Sequence, residues 1–196
     1  MQKVSEDRRI QKTRKALHEA LISLMYSQRY DAILIQDILD RANVGRSTFY
    51  AHFRGKDELL VEGLDGLHEL LRNAQMATTA SSSKIYERVI GFSLAMFIHA
   101  YAHAKIYRSL VGGPGWIMVG RRIEEILVQL MKEEARPLYA RGATASLPYE
   151  LFIHFLGTTF MSVLTWCFNF KQALPPEDIN ALFRQLVIPT LVAHLG

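Results

Sequence analysis

The chain is poor in cysteine: Cys167 stands alone among 196 residues. One cysteine excludes an intrachain disulfide and any cysteine-rich metal spacing, so burial alone must hold the fold, and a reducing compartment suits it. No stretch alternates apolar and polar residues with period two, which removes the usual signature of half-buried strands. Phosphate-cradling glycine loops, a nucleophile elbow and a metal-hydrolase motif are all lacking. Cys167 sits between Trp166 and Phe168 with no base beside it. The chain therefore does not read as an enzyme, and no cofactor or metal is expected. The first fifteen residues, MQKVSEDRRIQKTRK, contain no apolar run of signal-peptide length, so a cytoplasmic location is expected.

One stretch tests the membrane alternative. Residues 151–170 contain no Lys, Arg, Asp or Glu, which is enough chain to span a bilayer. Its interior carries His154, Thr158, Thr159, Ser162, Thr165 and Asn169, and its flanks lack paired aromatic and basic anchors. A fully buried helix in a soluble protein is the better reading.

Apolar residues recur at spacings of three and four throughout, so the expected fold is all-α, with about nine helices. Helix 1 is placed after Ser5, with Glu6 and Asp7 in its first turn and a stripe of Ile10, Leu17, Leu21, Leu24 and Met25. Short helices follow at 36–42 and 46–53 around the break Asn43-Val44-Gly45, a helix-turn-helix. A long helix runs from Lys56 into the seventies, and Thr78 to Ser83 reads as a joint. Further helices are expected at 84–103, 104–111, 116–140, 148–170 and 176–194. They are separated by Gly112-Gly113-Pro114-Gly115, by 142–147 and by Leu174-Pro175-Pro176. Pro189 should bend the last of them.

Charge is unevenly placed. Residues 1–56 hold eleven Lys and Arg against six Asp and Glu, whereas the rest of the chain holds twelve against thirteen. A basic first quarter on a near-neutral body suits a small polyanion-binding head, 1–55, carried by a larger domain, 56–196. Arg8, Arg9, Lys12 and Lys15 lie off the apolar stripe of helix 1. In the helix at 46–53, Phe49 and Phe53 stand four apart and can dock on Ile35, Ile38 and Leu39. Arg46, Ser47, Thr48, Tyr50 and His52 are then left for an outer surface.

Asp37-Ile38, the run Ala42-Asn43-Val44-Gly45-Arg46-Ser47-Thr48-Phe49-Tyr50-Ala51-His52-Phe53 and Lys56-Asp57-Glu58-Leu59-Leu60 resemble the TetR family of bacterial transcriptional regulators. Residues 8–60 carry the resemblance. It implies that Arg46 and Ser47 face base edges while Thr48, Tyr50, His52 and Lys56 hold phosphates. An arginine can grip guanine with two hydrogen bonds. Two positions depart from the family pattern: Leu34 stands where a helix-capping Thr is usual, and Gly45 where Ser is usual.

The resemblance also implies a homodimer paired through its last two helices, and a ligand-binding body. Ile179, Leu182, Phe183, Leu186, Val187, Leu191 and Leu195 give the last helix a broad apolar face. Phe92, Met96, His99, Tyr107, Trp116, Phe155, Thr158, Thr159, Ser162 and Trp166 combine aromatic, soft and isolated polar groups as a small-molecule pocket does, although buried core helices look the same. Few body charges favour a largely apolar or aromatic effector. His99 and His103, with His154, have a spacing that could share a metal, but no carboxylate or cysteine accompanies them. The expected function is that of a repressor released from double-stranded operator DNA by a small molecule. The alternative is a regulator with no small-molecule effector, controlled by a protein partner or by occupancy.

Overall fold

A computed structural model describes residues 2–139, 147–169 and 174–195, and among these the chain is helical with no strand. Its elements are α1 (Gln2–Met25), a 3-10 turn (Tyr30–Ala32), α2 (Ile35–Ala42), α3 (Arg46–His52), α4 (Lys56–Glu62), α5 (Asp65–Ser81), α6 (Ile85–Val89), α7 (Ser93–Ala102), α8 (Ala104–Leu110), α9 (Pro114–Tyr139), α10 (Tyr149–Asn169) and α11 (Pro176–Leu195). The all-α class holds, and two of the nine expected helices are each divided. α1 begins before Ser5, because nothing in the preceding Gln-Lys-Val breaks a helix. The break expected at 142–147 lies largely outside the described residues.

Both divisions occur where a glycine lets another element press in. The helix from Lys56 stops at Gly63, where the His18 imidazole of α1 occupies the space a Cβ would need. The helix expected at 84–103 is interrupted between Val89 and Ser93. There a Cβ on Gly91 would lie 2.7 Å from Cβ of Thr78, and the Phe92 amide donates to Gln75 Oε1 at 3.0 Å. α5 itself runs on to Ser81, so the joint expected from Thr78 shortens to the residues after it. Apolar spacing continues through each division and does not reveal it.

The chain clusters into two compact units, Met1–Asp65 with Lys105–Val119, and Gly66–Ala104 with Gly120–Gly196. In the first unit Leu17 and Leu21 of α1, Ile38 and Leu39 of α2, and Phe49 and Phe53 form a buried core, while Ile10 is exposed. α4 joins this unit through Arg14, whose Nε donates to Glu62 at 2.9 Å and whose Nη2 donates to the other carboxylate oxygen. The Arg14 guanidinium also lies 5.1 Å from the Phe53 ring centroid.

In the second unit Phe92, Phe97, Phe160 and Phe183 build an aromatic centre. α10 is the one unbroken helix among the described residues long and apolar enough to cross a membrane. It buries Phe152, Leu156, Phe160 and Leu164 and exposes Leu151, Phe155 and Trp166. The fully buried helix expected at 148–170 is therefore buried on one face only. α11 divides likewise, with Ile179, Phe183, Val187 and Leu191 inside and Leu182 and Leu186 outside.

Candidate nucleic-acid interface

The turn between α2 and α3 is set by Asn43, which takes φ 51° and is the one non-glycine residue at positive φ among those described. Asparagine tolerates this left-handed cap, and it lets Val44 N–H donate back to Leu39 O at 3.1 Å. α3 then starts from an extended Gly45.

The N-terminus of α2 is half capped. Leu34 N–H donates to Asp37 Oδ2 at 2.8 Å, but the Leu34 side chain accepts nothing and is 65% exposed. A threonine there would accept from an orphan amide without disturbing the core. Leu34→Thr should raise stability by about 1 kcal/mol. A denaturant midpoint unchanged or lowered by the substitution would show that the cap is not formed.

Phe49 and Phe53 anchor α3 with buried rings 5.9 Å apart. Arg46, Ser47, Thr48 and Tyr50 are exposed, and Tyr50 packs edge-on to Phe49 at 5.3 Å. His52 is half-buried beside the Phe53 ring. Arg46 is braced: its Nη2 donates to Gln36 Oε1 at 3.1 Å, and Gln36 Nε2 donates to Asp40 Oδ1 at 2.7 Å. This contact of Gln36 with Arg46 is one that the motif does not disclose, although the four-residue spacing of Gln36 from Asp40 is visible in the sequence. Exposed Arg8, Arg9, Lys12 and Lys15 make α1 a basic helix, as its pattern suggests.

Lys56, for which the resemblance implies a phosphate contact, bonds to carbonyls of the first unit. Its Nζ donates to the carbonyls of Tyr30, Asp31 and Ile33 at 3.0, 3.3 and 2.7 Å and lies 4.6 Å from the Tyr30 ring centroid. The neighbouring Asp57 accepts a hydrogen bond from the Tyr30 hydroxyl. Burial, reinforced by that bond, pushes the hydroxyl's pKa well above its ordinary value. The Tyr30 carbonyl already accepts from the Ile33 amide at 3.1 Å, and the cation from α4 adds a charged donor to it and to the carbonyls of Asp31 and Ile33. Lys56 thus ties the start of α4 to the segment 30–33.

The residues expected to line a small-molecule pocket fall in both units. Phe92 and Met96 are fully buried in the second unit, and the Phe92 ring centroid is 5.7 Å from that of Phe160. His99 is half-buried, with its ring 4.6 Å from that of His103. Burial, then His103, pushes its pKa down to about 4. Thr158 and Ser162 donate back along their own helix, each at 2.8 Å, to the carbonyls of His154 and Thr158. Thr159 is half-buried, while Phe155, Ser162 and Trp166 are exposed on the outer side of α10. Tyr107 and Trp116 belong to the first unit, with ring centroids 6.3 Å apart. An apolar stripe with hydroxyls reads alike whether it faces a cavity, a core or a partner. Among the described residues no three His, Cys, Asp or Glu converge as a metal site.

The family model for bacterial regulatory proteins, tetR family, matches residues 17–62. The chain is 25% identical over 183 residues to YxbF, an uncharacterized HTH-type transcriptional regulator of Bacillus subtilis (strain 168). That similarity covers 92% of this chain and 46% of the relative, so the chain spans about half the length of the curated relative it matches. A TetR transcriptional regulator of Streptococcus agalactiae is similar in structure, with TM-score 0.63 and 25% identity, over 94% of this chain and 98% of that one. FadR of Thermus thermophilus, a TetR-family transcriptional repressor solved in complex with lauroyl-CoA, shares the fold at TM-score 0.67 and 15% identity, over 89% and 93% of the two chains.

Proposed function

We propose that the chain is a TetR-family regulator, a homodimeric repressor released from operator DNA by a small, largely apolar or aromatic molecule. Its fold and relatives are those of transcriptional regulators and not of enzymes. The observation that carries the reading is α3: two buried phenylalanines hold it while Arg46, Ser47, Thr48 and Tyr50 stand exposed, with Arg46 braced on Gln36. Arg46 and Ser47 read base edges, and Thr48, Tyr50 and His52 hold phosphates.

One head spans too few base pairs for useful specificity, so two must sit about 34 to 36 Å apart, which requires a second copy. The exposed Leu151, Phe155 and Trp166 of α10 and Leu182 and Leu186 of α11 support pairing between copies through these helices. The lauroyl-CoA in the Thermus neighbour's complex supports a small-molecule effector. Release requires the effector to bind more tightly to a conformation whose heads are wrongly spaced. A cytoplasmic location follows from this role. A regulator without an effector is the second reading, favoured by the complete burial of Phe92 and Met96, which leaves no opening beside them.

Arg46→Ala tests the reading head. Against a duplex selected from a random pool by the parent, anisotropy titration should show a loss of about 1 to 3 kcal/mol with relaxed base preference. Binding equal to the parent's would remove Arg46 from the reading face.

A further inference from the structure

Three exposed side chains of the first unit form one hydrogen-bonded chain across the turn between α2 and α3. Arg46, the first residue of α3, donates from Nη2 to Gln36 Oε1 at 3.1 Å. Gln36, in the first turn of α2, donates from Nε2 to Asp40 Oδ1 at 2.7 Å. A guanidinium has only donors and a carboxylate only acceptors, so the group between them must accept on one side and donate on the other. A primary amide does both. The same requirement fixes the amide's orientation, since turning it over would set donor against donor and acceptor against acceptor.

We propose that Gln36 is a positioning residue for base recognition: held by Asp40, it fixes the Arg46 guanidinium before DNA arrives and so determines which base pair the arginine reads. The proposal rests on the reading of Arg46 as a base contact. An unbraced arginine samples many rotamers, and a site that must order them on contact loses affinity and selectivity. Nη2 carries two hydrogens, of which Gln36 takes one. Whichever it takes, either the Nε–Nη2 edge or the Nη1–Nη2 edge keeps two parallel donors, the pair that matches O6 and N7 of guanine. α2 thus contributes to sequence preference through α3, with no base contact of its own.

A duplex selected from a random pool by the full-length parent, then changed one base pair at a time, gives a preference profile by anisotropy titration. The proteins compared are the parent, Gln36→Ala, Arg46→Ala, the variant carrying both, and Gln36→Glu combined with Asp40→Asn. Arg46→Ala should flatten the profile at one base pair of each half-site. Gln36→Ala should flatten it at that same pair, with a loss of about fivefold on the selected duplex and none on an unrelated one. In the Arg46→Ala background it should add less than about twofold, because the arginine it acts through is gone. Gln36→Glu with Asp40→Asn should restore the profile: the new carboxylate accepts from Arg46 and from the new amide, and the net charge is unchanged. A glutamine that reads adenine itself would flatten a different pair, add its full loss to that of Arg46→Ala and gain nothing from a carboxylate, which cannot donate. That result overturns the proposal. An unchanged Gln36→Ala profile, an equal loss on both duplexes, or a combined variant no better than Gln36→Ala overturns it too and leaves the reading of Arg46 standing. An unchanged Arg46→Ala profile, or a parent that selects no duplex, overturns that reading and the proposal together.

Discussion

Phe160→Ala will destabilise the protein by about 3 to 5 kcal/mol, the range for deleting a buried aromatic ring. Phe160 has no exposed surface, and three rings surround it: Phe97 stacked at 4.7 Å, Phe183 edge-on at 4.9 Å and Phe92 at 5.7 Å. Those neighbours come from α7, α11 and the break before α7, so the cavity cannot be closed by shifting one helix. Each aromatic pair adds about 0.5 to 1.5 kcal/mol beyond its burial. Denaturant unfolding of the parent and the variant measures the loss. A change below about 1 kcal/mol would mean that the four rings are not the centre of this unit.

Acidification is the second large effect, and it works through His99. Its pKa is pushed down from 6.5 to about 4, first by burial and then by His103. Between these two values the unfolded chain binds the proton and the folded chain does not, so stability falls as pH drops. The contribution is complete above about pH 6.5 and is lost on the way to about pH 4, amounting to at most about 3 kcal/mol. Burial also lowers the His18 pKa, against the opposing pull of Glu62 and Glu19, and adds in the same direction. Denaturation at pH 7 and pH 4.5 of the parent and of His99→Gln separates His99 from the carboxylates. The variant should lose less stability than the parent over that interval; equal losses would remove His99 as the cause.

α3 is legible because its information is local. Phe49 and Phe53 lie one turn apart, Asn43 and Gly45 have turn chemistry, and polar groups fill the remaining face, so burial and exposure follow from spacing. The same logic misleads on α10. Its Phe155, Ser162 and Trp166 share the composition of a pocket or core and yet face outward, because residue type does not say which of two apolar faces a neighbour covers.

Lys56 shows the other limit. Its position at the start of α4 fits a phosphate contact, but its ammonium is taken by carbonyls of a turn more than twenty residues earlier in the chain. Gln36 gains its meaning only because α2 and α3 cross closely enough for it to reach Arg46.

By itself the sequence determined an all-helical chain, a basic first quarter, a helix-turn-helix and the face that helix presents, since each follows from periodicity, capping and charge within a few residues. The tertiary structure alone decided where helices break at Gly63 and Gly91, which side of α10 is covered, and which carbonyls the Lys56 ammonium meets. Those outcomes depend on contacts between residues distant in the chain, and helical spacing carries no record of which distant surface will arrive.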